Sequence, residues 1–306
     1  MMYKGGTSVP PLPVQGVLRL QEAALPALYF AAAGRERGST DGRNGMEFRV
    51  LAIGDVVGES GLACLARRLR PLKREKRVDF TVVNGENAAG LGLFPAQAEE
   101  ILDAGADVIT LGNHTFDKHQ IRPMLEENRY LLRPANYTAR APGRGTGYYD
   151  MGRCSVRVIS LQGRVNLNYN CDNPFTAADR ILKEEERATF TLVDFHAEAT
   201  SEKLAMGYYL DGRISALWGT HTHVQTADEQ ILPRGTGYLT DAGMTGPARS
   251  VIGMPAEQSI EGFLGGLRGR HTVAGGTCAL HGVLFTLESG TGLCTAVERV
   301  RVADAG

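Results

Sequence analysis

Residues 46–58 read MEFRVLAIGDVVG. Phe48–Ile53 is a short apolar run that stops at Gly54 and gives way to Asp55, which predicts a buried strand whose carboxyl end presents a carboxylate. The period then changes. In Gly61–Lys76, the residues Leu62, Leu65, Leu69 and Leu72 recur three or four apart, the spacing of a helix with one apolar face. Asp79–Val83 returns to a strand. Pro95–Ala104 predicts a helix with Pro in its first turn and Gly105 just past its end, and Val108–Leu111 is a third strand. Strands alternating with helices predict a mostly parallel sheet covered by helices. Farther along, Val156–Leu161, Thr189–Phe195, Ile214–Trp218, Gly237–Thr240 and Ala279–Leu287 read as strands with fewer helices between them. The expected fold class is α/β: a layered β-sandwich flanked by helices.

This patterned region runs from Met46 to residue 306 and is read as one catalytic domain. Residues 1–45 differ from it. They hold 7 Gly and 4 Pro and no useful apolar period. Three readings of them stay open: an over-extended start with Met46 as the functional first residue, a disordered tail, or a secretory leader suggested by Ala23–Ala33. A Pro-rich, weakly charged start and the lack of paired cysteines downstream speak against the leader.

Composition narrows the partners. Lys plus Arg number 33 and Asp plus Glu 34, so the net charge of −1 makes no electrostatic case for nucleic acid or an anionic membrane. No stretch approaches 18 uncharged apolar residues, and a membrane-spanning helix is not expected. The five cysteines are odd in number and widely spaced, without a C-x-x-C, which fits a reducing, cytoplasmic setting and inert thiols. The basic run Arg67–Arg77 lies on the first helix and reads as a solvated face rather than an RNA site.

The chemistry lies where apolar runs end. Asp55 follows Leu51–Gly54; Asn84, Glu86 and Asn87 follow Thr81–Val83; Asn113 and His114 follow Ile109–Gly112; His196 follows Leu192–Phe195; His221 and His223 follow Ala216–Gly219. Ligands of open α/β sheets bind at the carboxyl ends of strands. Any one of these residues alone reads as a turn, a cap or a structural histidine. Together, five strand ends deliver carboxylate, amide and imidazole groups to one edge, with no thiolate among them. That donor set suits Mn, Fe or Zn. Asp55, Glu86, Asn113, His196, His221 and His223 are too many for one tetrahedral zinc and fit two metals if a carboxylate bridges. The glycine-rich Gly85–Gly92 is neither a P-loop nor a G-x-G-x-x-G turn.

The blocks Gly54–Gly58, Asn84–Gly90, Gly112–Asp117, Asp194–Lys203, Gly219–Val224 and Thr240–Gly246 resemble the signature of the calcineurin-like metallophosphoesterases, and most closely their bacterial YmdB-type branch. The resemblance covers nearly all of 46–302. The superfamily usually opens with Asp-x-His, where this chain has Asp55-Val56-Val57, and usually has Asp where this chain has Glu86. Both departures are shared with the branch.

The resemblance implies an α/β/β/α fold and a dinuclear centre of Fe or Mn, with Zn and Mg also compatible. It implies that Glu86 bridges, that Asp55 and His223 hold one metal, and that Asn113, His196 and His221 hold the other. It further implies in-line attack by a bridging hydroxide, with His114 as general acid and Asn87 binding phosphate or positioning Glu86. The implied substrates are small phosphodiesters, 2′,3′-cyclic nucleotides above all, and the implied assembly is a homo-oligomer. A phosphomonoesterase or protein phosphatase on the same centre, and a regulatory RNA-associated protein with incidental activity, are the alternatives. Thr222 is read as structural. Asp194 is read as either supporting His196 or capping a strand, and His271 and His281 as ordinary histidines. Met244–Gly246 reads as a loop at the site mouth and Gly262–Gly276 as a flexible loop and candidate lid.

Overall fold

The computed structural model describes residues 45–167, 170–266 and 272–304. Residues 1–44, His271 and the 267–271 portion of the candidate lid lie outside these described residues. Two sheets face each other. In the first, β1 (Glu47–Ile53) runs parallel to β3 (Phe80–Asn84), β3 to β4 (Val108–Thr110), and β4 to β5 (Leu131–Leu132). On the other side of β1, the long hairpin of β13 (Cys278–Glu288) and β14 (Leu293–Asp304) pairs antiparallel to it. Short strands β2 (Asp55–Val56) and β12 (Met244–Pro247) finish that edge. The second sheet is built on parallel β7 (Ser155–Gln162), β8 (Phe190–His196), β9 (Ala216–Thr220) and β11 (Gly237–Leu239). Antiparallel edge strands β6 (Thr146–Asp150) and β10 (Gln230–Ile231) flank it.

Side chains alternate across each strand, so the central strands serve two apolar layers. Val50, Ala52 and Val82 face inward and meet Val156, Leu192 and Trp218 between the sheets. Leu51, Ile53 and Val83 face outward and pack under α1 (Gly58–Lys76) and α2 (Pro95–Ala104) through Leu62, Leu65, Leu69 and Ile101. Ile159, Val193 and Phe195 of the second sheet pack under α4 (Pro174–Glu184) and α5 (Thr200–Leu210) through Ala177, Ile181, Met206 and Leu210. The short α3 (Arg122–Glu127) precedes β5 and α6 (Ala256–Phe263) precedes β13. The architecture is therefore the expected α/β/β/α sandwich.

The second half, read from sequence as having fewer helices, carries α4, which buries Ala177, Ala178 and Ile181, and α5, which contains Gly207, where a Cβ would sit 2.7 Å from the Tyr238 ring. Two local expectations are corrected, those for Met244–Gly246 and for the start of Gly262–Gly276. Met244–Gly246 is a buried strand paired with Asp55 and Val56, not a loop. Gly262 and Phe263 belong to α6 rather than to a loop. The basic face of α1 is internally matched, since Arg67 and Arg68 grip Asp304, Lys73 reaches Asp107, and Lys76 reaches Glu298. Among the described residues, no helix is long and apolar enough to cross a membrane.

Candidate metal centre

The carboxyl ends of β1, β3, β4, β8 and β9 converge at one edge, and four donor atoms meet there. His196 Nε2 lies 2.9 Å from Glu86 Oε1, 3.0 Å from Asn113 Oδ1 and 3.1 Å from His221 Nδ1. Glu86 and His196 are fully buried. A carboxylate oxygen, an amide oxygen and two imidazole nitrogens at such spacing form a cradle for a divalent cation, and Glu86, His196 and His221 stand out as a group able to hold one.

The remaining expected ligands sit alongside. Asp55 is fully buried; its Oδ2 accepts from the His221 backbone N–H at 3.1 Å. Its Oδ1 has no hydrogen-bond partner and lies 3.9 Å from His223 Nε2. Asn87 places its Nδ2 3.3 Å from Glu86 Oε1 and 3.1 Å from His223 Nε2, while its own buried Oδ1 also lacks a partner. A buried acceptor left without a donor costs about 1–3 kcal/mol. Two of them beside an imidazole are what a cation would satisfy, so the residues present fit a second metal as well. All six expected ligands and Asn87 thus fall in one site.

Charge follows the same plan. Burial pushes the Asp55 carboxyl up to about 6, and His223 and His196 only partly offset it. Burial also works against the charge of Glu86, but the neighbouring His196 and the His114 backbone N–H (3.2 Å from Oε2) hold it down at about 2. Against burial, Glu86 raises His196 to about 9. Burial and the adjacent His196 push His221 down to about 3, which keeps its lone pair free.

A supporting shell holds these donors, and most of it escaped sequence reasoning. His196 Nδ1 lies 2.9 Å from Thr220 Oγ1, which donates to Asp194 Oδ1 at 2.8 Å. Asp194 also accepts from Thr110 Oγ1 at 2.5 Å and from Asn84 Nδ2 at 3.2 Å, bonds that cross from one sheet to the other. Its supporting role, one of two open readings, is therefore the observed one. Glu198 Oε2 lies 3.1 Å from His221 Nε2 and turns Nδ1 inward. Thr222 is structural: its N–H and Oγ1 both donate to Asp241 Oδ2, which the buried Lys203 Nζ reaches at 2.7 Å. This anchoring matters because His221 and His223 have φ of 100° and 65°, left-handed backbone that non-glycine residues adopt at a cost. Gly112 passes so close to His196 that a Cβ would lie 2.2 Å from its ring.

His114 stands at the rim. Its Nδ1 lies 2.8 Å from Asp117 Oδ2. Asp117, three residues on, carried a sequence signal only as part of the block Gly112–Asp117. His281 lies outside the site, with both ring nitrogens buried and unpartnered.

With this geometry in place, similarity to known proteins is specific. A family profile described as YmdB-like protein matches residues 51–300. The 2′,3′-cyclic-nucleotide 2′-phosphodiesterase of Bacillus subtilis (strain 168) is 45% identical over 258 residues, which covers 84% of this chain and 97% of that protein. A crystal structure described as a novel phosphatase of Mycoplasma pneumoniae superposes with a TM-score of 0.81 at 33% identity, covering 85% of this chain and 95% of that one. A hypothetical protein from Thermus thermophilus superposes with a TM-score of 0.79 at 40% identity, covering 84% of this chain and all of that one.

Proposed function

The chain belongs to the YmdB-like protein family, and from that premise we propose that it is a metal-dependent phosphodiesterase acting on 2′,3′-cyclic nucleotides. The observation that carries the metal dependence is the meeting of Glu86, Asn113, His196 and His221 donors around His196 Nε2. The substrate class rests on the B. subtilis relative.

In this reading Asn113, His196 and His221 would hold one cation, Asp55 and His223 would hold the other, and Glu86 would serve both. The unpartnered Oδ1 of Asn87 joins the Asp55 side, a role beyond the phosphate contact the sequence suggested. Fe or Mn suits the mixed oxygen and nitrogen donors. When bound, such a pair supplies Lewis-acid charge and lowers the pKa of water to about 7. The protein's own part is orientation and proton transfer. Glu198, Thr220 and the Asp241–Thr222 anchor fix the imidazoles. His114, aligned by Asp117, gives its Nε2 proton to the departing 2′ oxygen as water attacks phosphorus in line and the P–O2′ bond breaks. The product is a nucleoside 3′-monophosphate.

Glu86→Gln tests this. The expected result is loss of most bound metal by elemental analysis, together with loss of turnover of 2′,3′-cAMP. Retention of metal and turnover refutes the site. The wild-type enzyme should prefer 2′,3′-cAMP to 3′,5′-cAMP and to a phosphomonoester. A preference for the monoester by orders of magnitude would replace the phosphodiesterase reading with the phosphatase one suggested by the M. pneumoniae relative's description.

A further inference from the structure

At the opposite end of the second sheet from the metal centre, the strands begin in a cleft of about 580 Å³. Strand β8 runs from the cleft floor to His196, a distance of about 20 Å at the usual rise per residue. The floor contains Arg157, whose side chain is only 3% exposed. Arg157 stands beside Thr191 in the register of β7 and β8, on the face turned toward α4, because its neighbours Val156 and Val158 face the layer between the sheets.

The Arg157 guanidinium has one loose ion pair and a buried nitrogen without a hydrogen bond. Its Nε forms no hydrogen bond. The nearest carboxylate oxygen, Glu185 Oε2, is 3.6 Å away, beyond hydrogen-bond range, and Glu185 Oε1 is taken by Thr146 Oγ1 at 3.0 Å. A buried polar group in this condition calls for a ligand or water to complete it.

The rim adds charge of the same sign. Lys183 and Arg187 line the cleft and form no ion pair among the described residues, while Arg213 is bound by Asp179 at 2.6 Å. Asp179 is the one carboxylate lining the cleft, and Tyr209 also donates to it. The floor hydroxyl of Ser215 is spent on the Gly292 carbonyl. Lys183 and Arg187 therefore share a polar recess with Arg157, and the anions beside it are Glu185, loosely paired with Arg157 at 3.6 Å, and Asp179, which is taken up by Arg213 and Tyr209. A guanidinium fork and two further cations are the recognition elements of a doubly charged oxyanion.

We infer that this cleft is a binding site for a phosphate group, separate from the metal centre. Its volume exceeds what free phosphate needs, so the group can arrive alone or carried on a nucleoside.

Calorimetric titration of the metal-loaded enzyme with inorganic phosphate and, separately, with adenosine 3′-monophosphate tests the site. Wild type is compared with the rim double variant Lys183→Gln/Arg187→Gln and with Arg157→Gln. The expected result is a binding event that weakens at least tenfold in both variants and with rising salt, while bound metal and turnover stay at wild-type values. The rim variant changes only exposed side chains, so it tests the site even if Arg157→Gln fails to fold. Identical isotherms for wild type and the rim variant overturn the inference. Tenfold tighter binding of the nucleotide than of phosphate identifies a nucleotide site; equal affinity identifies a free-phosphate site. Because the variants lie far from Glu86, failure of the catalytic proposal leaves this event in place.

Discussion

The pair Lys203–Asp241 is where a small change should have a large and readable effect. Both side chains are at most 1% exposed, and they meet at 2.7 Å. The Asp241 carboxylate accepts four bonds: from Lys203, from the N–H and hydroxyl of Thr222, and from the Gly243 N–H at 2.8 Å. Lys203→Met keeps most of the aliphatic stem that packs under Gly219 but removes the ammonium. Breaking one side of a buried pair costs about 3–5 kcal/mol. The three remaining donors to Asp241 place Lys203→Met at the low end, about 3 kcal/mol. Asp241→Asn leaves the ammonium buried without its counter-charge, for a cost of about the same size. If the charges act as one unit, the double variant costs about 3 kcal/mol rather than about 6, a coupling of about 3 kcal/mol. Urea unfolding of the four proteins measures this directly. The same variants loosen Thr222, which sits between His221 and His223 in their left-handed conformations, so retained metal should fall as well. Costs that add to within about 0.5 kcal/mol would refute the idea that the pair is a single energetic element.

Three further outcomes are expected. Gly112→Ala puts a methyl group into the space of the His196 ring and should weaken metal binding about 10–100-fold, the range seen when the support of a ligand is lost; wild-type metal content in that variant would count against the packing argument. His114→Ala should slow hydrolysis of 2′,3′-cAMP about 10²–10⁴-fold with metal content unchanged, and should slow a p-nitrophenyl ester far less, because that leaving group needs no proton; equal losses on both substrates would remove the acid role. Burial, helped by Arg301, pushes His281 down to about 4, below its ordinary 6.5. The unfolded chain then binds the extra proton between those values, so stability present above pH 6.5 drains away as pH falls toward 4. His281→Leu should flatten that slope in urea midpoints taken at pH 7 and pH 5, and an unchanged slope would assign it to another group.

What was legible in the sequence was local. An apolar run followed at once by Asp, Glu, Asn or His is visible within six residues, and it located all six expected ligands and the five strands that carry them. The order of the main strands and helices from Phe48 to Leu111 was equally plain, since the leucines of α1 keep a clean period, whereas the short β2, α3 and β5 left no such pattern. What stayed hidden depends on distance in the chain. Glu198 has meaning only against His221, Thr220 only against Asp194 and His196, and Lys203 only against Asp241, 38 residues on. Helix α5 was obscured by Gly207, a residue that lowers helix propensity but admits the Tyr238 ring. The outer strand β14 was obscured because the exposed Glu298, Arg299 and Arg301 interrupt Val297, Val300 and Val302, which pack against the core.

The distribution of donors between the two sheets has a mechanical meaning. Asp55, Glu86, Asn87 and Asn113 come from the first sheet; His196, His221 and His223 come from the second. The centre is therefore a rivet through the edge of the sandwich, and neither sheet alone owns a complete grip. Any ligand that binds only the assembled form stabilises it by mass action, by about 2.7 kcal/mol at one hundred times its dissociation constant. Here that gain falls on the seam between layers. Chelation should thus loosen the sandwich from this edge first, with backbone amides of β4 and β9 exchanging together and before those around the Phe48–Phe190 stack at the far end of the same seam.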